Sequence, residues 1–446
     1  MNADFPPRVP LVTRPVGIWE TVGMARRNVL GLIPQIAVHQ PIVSGRTGIR
    51  WHMVMDPDSL RRILKERVDD YPKSETTKLI LNPAVGDSLF VAEGAHWRWQ
   101  RRAMAPAFAL RHVTALAPVM TAAAEASSDR LMKARGPVDL FEETVAATFE
   151  VIADVTLSGD SGFDRKAVHH AINRYIAQVA KLSLLDVLGL PAWVPRPGRA
   201  FSGKDLRRMK AMADQAIAAR ATVPARPTAD LLDLLYAAQD PETGRSMTAD
   251  ELRDNLLTFI VAGHETTALT LAWSLYLCAF DPEVQQRAAA EAGLALQGRA
   301  ATADDLPALP YIHRVVNEAL RLYPPAAFLS RTARAPDALC GRNIRAGDTI
   351  ILPIYALHRH HLLWRNPDAF DPDRFLDTPD RYAFLPFGAG PRICIGASFA
   401  IQEAVIILAT LLARFRFETV SGQTPQPRMI LTLRPHGGVI LRVSPR

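Results

Sequence analysis

The sequence predicts a mainly α-helical fold with small β-sheets. Three observations predict it. Between residues 108 and 221, successive stretches repeat apolar residues at three-to-four spacing, the period of a helix with one buried face. One apolar pattern then runs from Thr248 to Phe280, ~45 Å of helix, enough to cross a domain of this size. Strand-like pieces are short and confined to the front, to about 328–354 and to the tail.

In chain order, residues 41–46 and 49–55 read as strands around a Thr47-Gly48 turn. Asp56 then caps a helix with Pro57 at its first position, where a missing N–H costs nothing. Helical periodicity marks 108–134, 138–157, 165–182 and 204–221. The prolines and glycines of 186–203 read as a loop, which keeps Leu, Trp and Phe and so is no domain linker. Thr248 and Glu251 form a capping box at the start of the long helix, and Asp281-Pro282 ends it. Leu309-Pro310 opens a shorter helix over 311–323, stopped by Pro324-Pro325. Strand-like pieces at 328–333 and 343–354 precede a Pro/Asp/Asn-rich stretch, 358–393, with little regular structure. A strong helix covers 397–416, and 428–435 with 437–446 read as a terminal hairpin.

The 446 residues can bury several apolar layers around a prosthetic group. With 48% hydrophobic and 22% charged residues, the chain is neither disordered nor a multi-span membrane protein. Cys278, Cys340 and Cys394 form no C-x-x-C pair, which argues against a disulfide scaffold, a zinc ribbon and a cysteine-only cluster. Such sparse cysteine suits a reducing compartment, and a cytoplasmic location is expected. The first fifteen residues hold four prolines and no apolar run, so neither leader nor membrane anchor is expected. Leu256–Phe280 is apolar enough to suggest a span, but His264 and Glu265 sit in its middle, where an acid is costly in a membrane. The net charge of +7 comes from arginines scattered along the chain, which suggests an acidic partner and no nucleic-acid footprint.

The most informative segment is Phe387-Gly388-Ala389-Gly390-Pro391-Arg392-Ile393-Cys394-Ile395-Gly396. Its glycines and proline force a tight, non-helical backbone. Cys394 then stands before a helix N-terminus, a setting that lowers a thiol's pKa. A thiolate without a second cysteine or histidine suits one axial bond to a planar cofactor. Taken alone, a lone cysteine there reads more readily as a buried structural residue.

The pattern F-x-x-G-x-R-x-C-x-G resembles the haem-binding signature of the cytochrome P-450 family. Ala262-Gly263-His264-Glu265-Thr266-Thr267 is similar to that family's oxygen-activation motif, and Glu318-Ala319-Leu320-Arg321 to its E-x-x-R. Pro372-Asp373-Arg374-Phe375 and Trp97 with Arg101 match two further elements, all in the family's order. The resemblance covers nearly the whole chain. It implies one domain, 1–446, with a β-containing part at about 40–90 and a helical haem-binding core at about 91–446.

The resemblance makes Cys394 the iron ligand of a haem b (iron protoporphyrin IX), since a thiolate favours O–O cleavage. It assigns Thr266 and Glu265 to proton delivery, with Ala262 and Gly263 leaving room for dioxygen. Trp97, Arg101, Arg331 and Arg392 are expected around the haem propionates, Arg102 competing with Arg101, and Phe387 and Ala262 against the cofactor. Glu318, Arg321 and Arg374 are expected to form a buried structural network, whereas i, i+3 spacing alone supports only an exposed pair worth ~0.3 kcal/mol. Phe90, Phe259, Ala262 and Ala326 are expected to wall the substrate pocket. His358-Arg359-His360-His361 lacks metal-site spacing and reads as a solvated loop.

No G-x-G-x-x-G follows a predicted strand, so electrons are expected from a ferredoxin or flavodoxin with its NAD(P)H-dependent reductase. The expected activity is a monooxygenase acting with dioxygen on a small lipophilic substrate, as a monomer. Two other readings stand beside it, a peroxide-driven peroxygenase and a haem-binding sensor or carrier without turnover. The Glu265-Thr266 pair argues against both.

Overall fold

The computed structural model describes residues 5–157, 203–221 and 229–446. Helix α1 (Ile18–Asn28) precedes the antiparallel pair β1 (Ile42–Thr47) and β2 (Ile49–Val54). Their turn rests on Gly48, whose φ of 75° suits a residue without Cβ. Helices α2 (Glu75–Val85), α3 (Gly94–Met104) and α4 (Ala117–Lys133) lead to the short strand β3 (Pro137–Asp139) and to α5 (Leu140–Leu157). After α6 (Gly203–Ala221) comes the longest described helix, α7 (Ala249–Phe280). The Thr248 hydroxyl accepts from the Glu251 N–H while the Glu251 carboxylate accepts from the Thr248 N–H, closing the capping box read from sequence.

Helices α8 (Pro282–Leu296) and α9 (Pro310–Leu322) precede β4 (Leu329–Thr332), β5 (Asp337–Leu339), β6 (Arg342–Ile344) and β7 (Thr349–Leu352). Helix α10 (Ala397–Arg414) follows the irregular stretch, and β8 (Phe415–Thr419), β9 (Gln426–Met429), β10 (Leu433–His436) and β11 (Ile440–Pro445) close the chain. The front pair does not form a sheet of its own. Strand β2 pairs in parallel with β7, giving the order β1-β2-β7-β4.

Helix α7 is buried on nearly all sides and packs against α5, α9 and α10. Among the described residues, α10 alone is long and apolar enough to cross a membrane. It lies in the core, against α4, α7 and α8.

Three expectations are corrected and one helix was not foreseen. The helix expected over 108–134 breaks at Leu116, because Pro118 lacks the N–H that would continue the ladder. Residues 137–139 pair with β11 instead of starting a helix, and Asp139 caps the Phe141 N–H. Helix α8 was not foreseen: Asp281-Pro282 ends α7 and also starts α8, the Asp281 carboxylate accepting from Glu283 and Val284 N–H. The tail is no single hairpin, since β9 pairs with β10 whereas β11 pairs with β8 and β3. The helix expected at 165–182 lies outside the described residues, as does the loop at 186–203 apart from Gly203, which opens α6.

Candidate functional site

The cysteine loop is held by its backbone. The Cys394 N–H donates to the Phe387 carbonyl at 2.9 Å, and Gly390 has a φ of 72°. A Cβ on Gly390 would come within 2.0 Å of the Leu64 carbonyl oxygen, so only glycine fits. The Arg101 guanidinium donates to the Ile393 carbonyl at 3.1 Å, tying α3 to the loop. Cys394 is exposed, yet burial among its surroundings is the main influence on its thiol. That burial pushes the thiol up, while the Gly396 N–H and the Arg101 guanidinium pull it back. The lowering expected from the helix start is therefore outweighed in the free thiol.

In the middle of α7, Ala262 is exposed and Thr266 half-buried, next to residues that are mostly buried. Phe259 packs on Phe108 with ring centroids 5.0 Å apart, and Phe108 lies beside Gly396. These two rings join α7 to the cysteine loop. Gly263 has the packing role: a Cβ there would meet Ile152 of α5 at 3.1 Å. The Thr266 hydroxyl donates to the Ala262 carbonyl at 2.8 Å, a bond within its own helix. The Glu265 carboxylate, 3% exposed, is not free beside it. It accepts from Arg434 Nε at 2.6 Å and from the Thr432 hydroxyl, both on the β9–β10 hairpin.

Of the residues expected around a propionate-bearing group, Arg331, Arg392 and Trp97 gather, whereas Arg101 sits at the cysteine loop. Arg331 is buried on β4, and Lys73 forms a bridge to it. The Arg392 guanidinium lies 4.5 Å from the Trp97 ring centroid and pairs with Glu93. Burial, and then the charge of Arg392, lowers Arg331 to about 10 and Lys73 to about 7. Lys73, Arg331 and Arg392 thus share one carboxylate, Glu93, with Asp69 acting on Arg392 as well. Uncompensated buried charge is costly, so the cluster suits a group carrying two negative charges. The residues present fit a haem with its two propionates. Lys73 was missed because nothing in Tyr71-Pro72-Lys73-Ser74 marks it. Arg102 points elsewhere, donating to both oxygens of Asp240 at 2.8 Å, which resolves its competition with Arg101.

The E-x-x-R pair is fully buried. Arg321 donates to both Glu318 oxygens at 2.6 and 2.7 Å and to the carbonyls of His358, Pro367 and Ala369. Arg374 Nε reaches Glu318 at 3.3 Å and also holds the Arg365 carbonyl. The expected solvated loop at 358–361 is corrected by the same packing: His358, Arg359 and His360 are buried, and His358 Nε2 accepts from the Leu385 N–H at 2.9 Å. Among the described residues no metal-binding cluster forms there. Phe90 and Ala326 are both exposed, and Lys73 sits 5.6 Å over the Phe90 ring.

Comparison with known proteins agrees with this geometry. The family pattern described as cytochrome P-450 matches residues 39–443. The chain is 34% identical to a Streptomyces melanosporofaciens protein named cyclooctatin synthase, over 92% of this chain and 91% of that protein. It is 32% identical to cyclooctat-9-en-7-ol 5-monooxygenase from the same organism, over 94% of this chain and 90% of that protein. It is also 32% identical to the Mus musculus leukotriene-B4 omega-hydroxylase 3, over 87% and 79% respectively. With the cysteine loop, the buried E-x-x-R pair and a match over nearly its whole length, the chain belongs to the cytochrome P-450 family and is a cytochrome P-450 monooxygenase.

Proposed function

We propose that this chain, as one domain, holds haem b between α7 and the cysteine loop and hydroxylates or epoxidises a small lipophilic substrate. One observation supports the reading: Cys394 is exposed on a loop that Phe108 and Phe259 join to the part of α7 where Ala262 is exposed, and Arg392 of the same loop belongs to a cluster of buried cations. Haem, when bound, supplies the oxygen-activating iron. Cys394 is its protein ligand, and Phe387 and Ala262 flank it. Arg331, Arg392, Arg101, Trp97 and Lys73 hold its propionates, which would return Lys73 to its charged form. Ala262 would leave space beside the bound group, and Phe90, Phe259, Ala262 and Ala326 would wall the substrate pocket. Thr266 and Glu265 pass protons to the reacting centre through water. Glu318, Arg321 and Arg374 act structurally, fixing the 358–374 stretch from which the cysteine loop continues.

The electron donor is a ferredoxin or flavodoxin with an NAD(P)H-dependent reductase, and the net charge of +7 favours an acidic carrier. The protein works as a cytoplasmic monomer. Cys394→Ser should lose the thiolate-type spectrum of the reduced carbon monoxide complex, and with it product formation. Cys278→Ser and Cys340→Ser should keep both. A Cys394→Ser protein retaining that spectrum would overturn the ligand assignment. Product formed with carrier and NAD(P)H, at a rate peroxide alone does not match, separates this reading from the peroxygenase.

A further inference from the structure

Phe90 belongs to a loop, residues 86–92, that buried polar side chains tie to the first half of α7. The Leu89 N–H donates to the Asn255 side-chain oxygen at 2.9 Å. The Asn255 NH2 group donates in turn to the Gln100 side-chain oxygen at 3.0 Å and to the Glu251 carbonyl at 2.8 Å. The Gln100 NH2 group donates back to the Asp87 carbonyl at 2.8 Å, which brings α3 into the same network. The Thr258 hydroxyl is hydrogen-bonded to that of Ser88 at 2.7 Å, and the Asp87 N–H donates to the Asp254 carboxylate at 3.2 Å. Ser88, Gln100 and Asn255 are completely buried. Phe90, between the buried Leu89 and Val91, is 46% exposed. Its carbonyl accepts from the Lys73 ammonium, so the backbone is held on both sides of an exposed ring.

We propose that Asn255 is a positioning residue for substrate selection: it fixes the 86–92 loop on α7 and so fixes the Phe90 ring at the pocket. This rests on the reading that Phe90 walls the substrate pocket. A primary amide suits the task, since it offers one acceptor oxygen and two donor hydrogens, and here all are used. Its removal leaves the Leu89 N–H and the Gln100 oxygen buried without these partners, which is costly. Asn255 also lies seven residues before Ala262, two turns of helix, so the anchor and the exposed part of α7 share one face. The spacing between Phe90 and that face is therefore set by side chains buried behind the loop.

The test uses the haem-loaded protein and two probes of different bulk, imidazole and phenylimidazole, whose binding is read from the shift of the haem absorption band. In Asn255→Ala, hydrogen exchange at the Leu89 amide should quicken about tenfold, as one lost buried hydrogen bond requires. The ratio of the two dissociation constants should change about fivefold in Asn255→Ala. The same substitution made in Phe90→Ala should leave that ratio within about twofold, because the effect acts through the ring. Thr258→Val, which removes one hydroxyl and keeps the side-chain shape, should move both readouts the same way by less. Unchanged exchange or an unchanged ratio in a folded Asn255→Ala protein overturns the inference. Should Asn255→Ala not fold, the same result in Thr258→Val overturns it. So does an equal change of ratio with and without Phe90, which marks a general loosening of the fold. If Phe90→Ala alone leaves the ratio unchanged, the pocket reading of Phe90 falls, and this inference with it.

Discussion

Two of the carboxylate–arginine pairs in this molecule, Glu318–Arg321 and Glu265–Arg434, differ in how they are held. Glu318 and Arg321 share one turn of α9, and neither is exposed. Three main-chain carbonyls take up the remaining Arg321 donors, and Arg374 and the Asp371 N–H complete Glu318. Glu265 and Arg434 come from a helix and a distant hairpin, and one partner reaches solvent. The first pair is saturated and closed, so it suits anchoring. The second is connected to water, so it suits exchange. Enclosure and the number of satisfied donors distinguish these two pairs more than charge or distance does.

Removing one partner from the closed pair should have the largest effect. Arg321→Ala leaves Glu318 buried without its main partner, at a cost of ~3–5 kcal/mol. Poor haem incorporation, low soluble yield and a lower melting temperature are the expected results. A haem-replete Arg321→Ala protein with normal melting would reduce this pair to the rank of a surface contact.

A second effect concerns His358, whose carbonyl accepts from Arg321. Burial, and then the nearby Arg321 charge, pushes its imidazole down to about 3. The unfolded chain binds a proton at His358 below about pH 6.5, whereas the folded protein does not until far lower. This contribution to stability is complete above pH 6.5 and is lost as pH falls towards 3, by up to about 1.4 kcal/mol per pH unit. His358→Gln, which keeps an acceptor for the Leu385 N–H, should flatten that part of the melting-temperature profile. Parallel profiles for variant and wild type would show that His358 titrates alike folded and unfolded.

The smallest effect is expected at Glu75 and Lys78, an ion pair with the same i, i+3 spacing as Glu318–Arg321 but with Glu75 78% exposed. Glu75→Ala should change stability by less than ~0.5 kcal/mol in thermal melts. A loss near that of Arg321→Ala would mean that spacing, not enclosure, sets the strength of such pairs.

The same contrast explains what the sequence discloses. Glu318 and Arg321 are readable because helical periodicity brings them together. Thr248 and Glu251 likewise mark the start of α7, and the glycines around Cys394 mark a forced turn. Arg434 is invisible beforehand, since no local rule connects a tail strand to residue 265. Arg101 and Arg102 are adjacent, so the motif could not exclude either, and only the helix rotation sends one to Ile393 and the other to Asp240. Lys73 carries no local mark either. Helix α8 was missed for a different reason: one Asp-Pro pair serves two helices, ending α7 and opening α8.

The pairing of β11 with β3 sets a timetable for synthesis. Ile440 meets Asp139, about 300 residues earlier. At ~5–20 residues per second, β3 emerges about 15–60 s before its partner strand exists. Throughout that interval its edge can be occupied only by something other than its native neighbour. Strand β2 likewise waits for β7, and Lys73 and Arg101 wait for the cysteine loop. The nascent chain thus lacks these pairings until the cysteine loop has emerged, and a fold able to close around a haem comes only after that point.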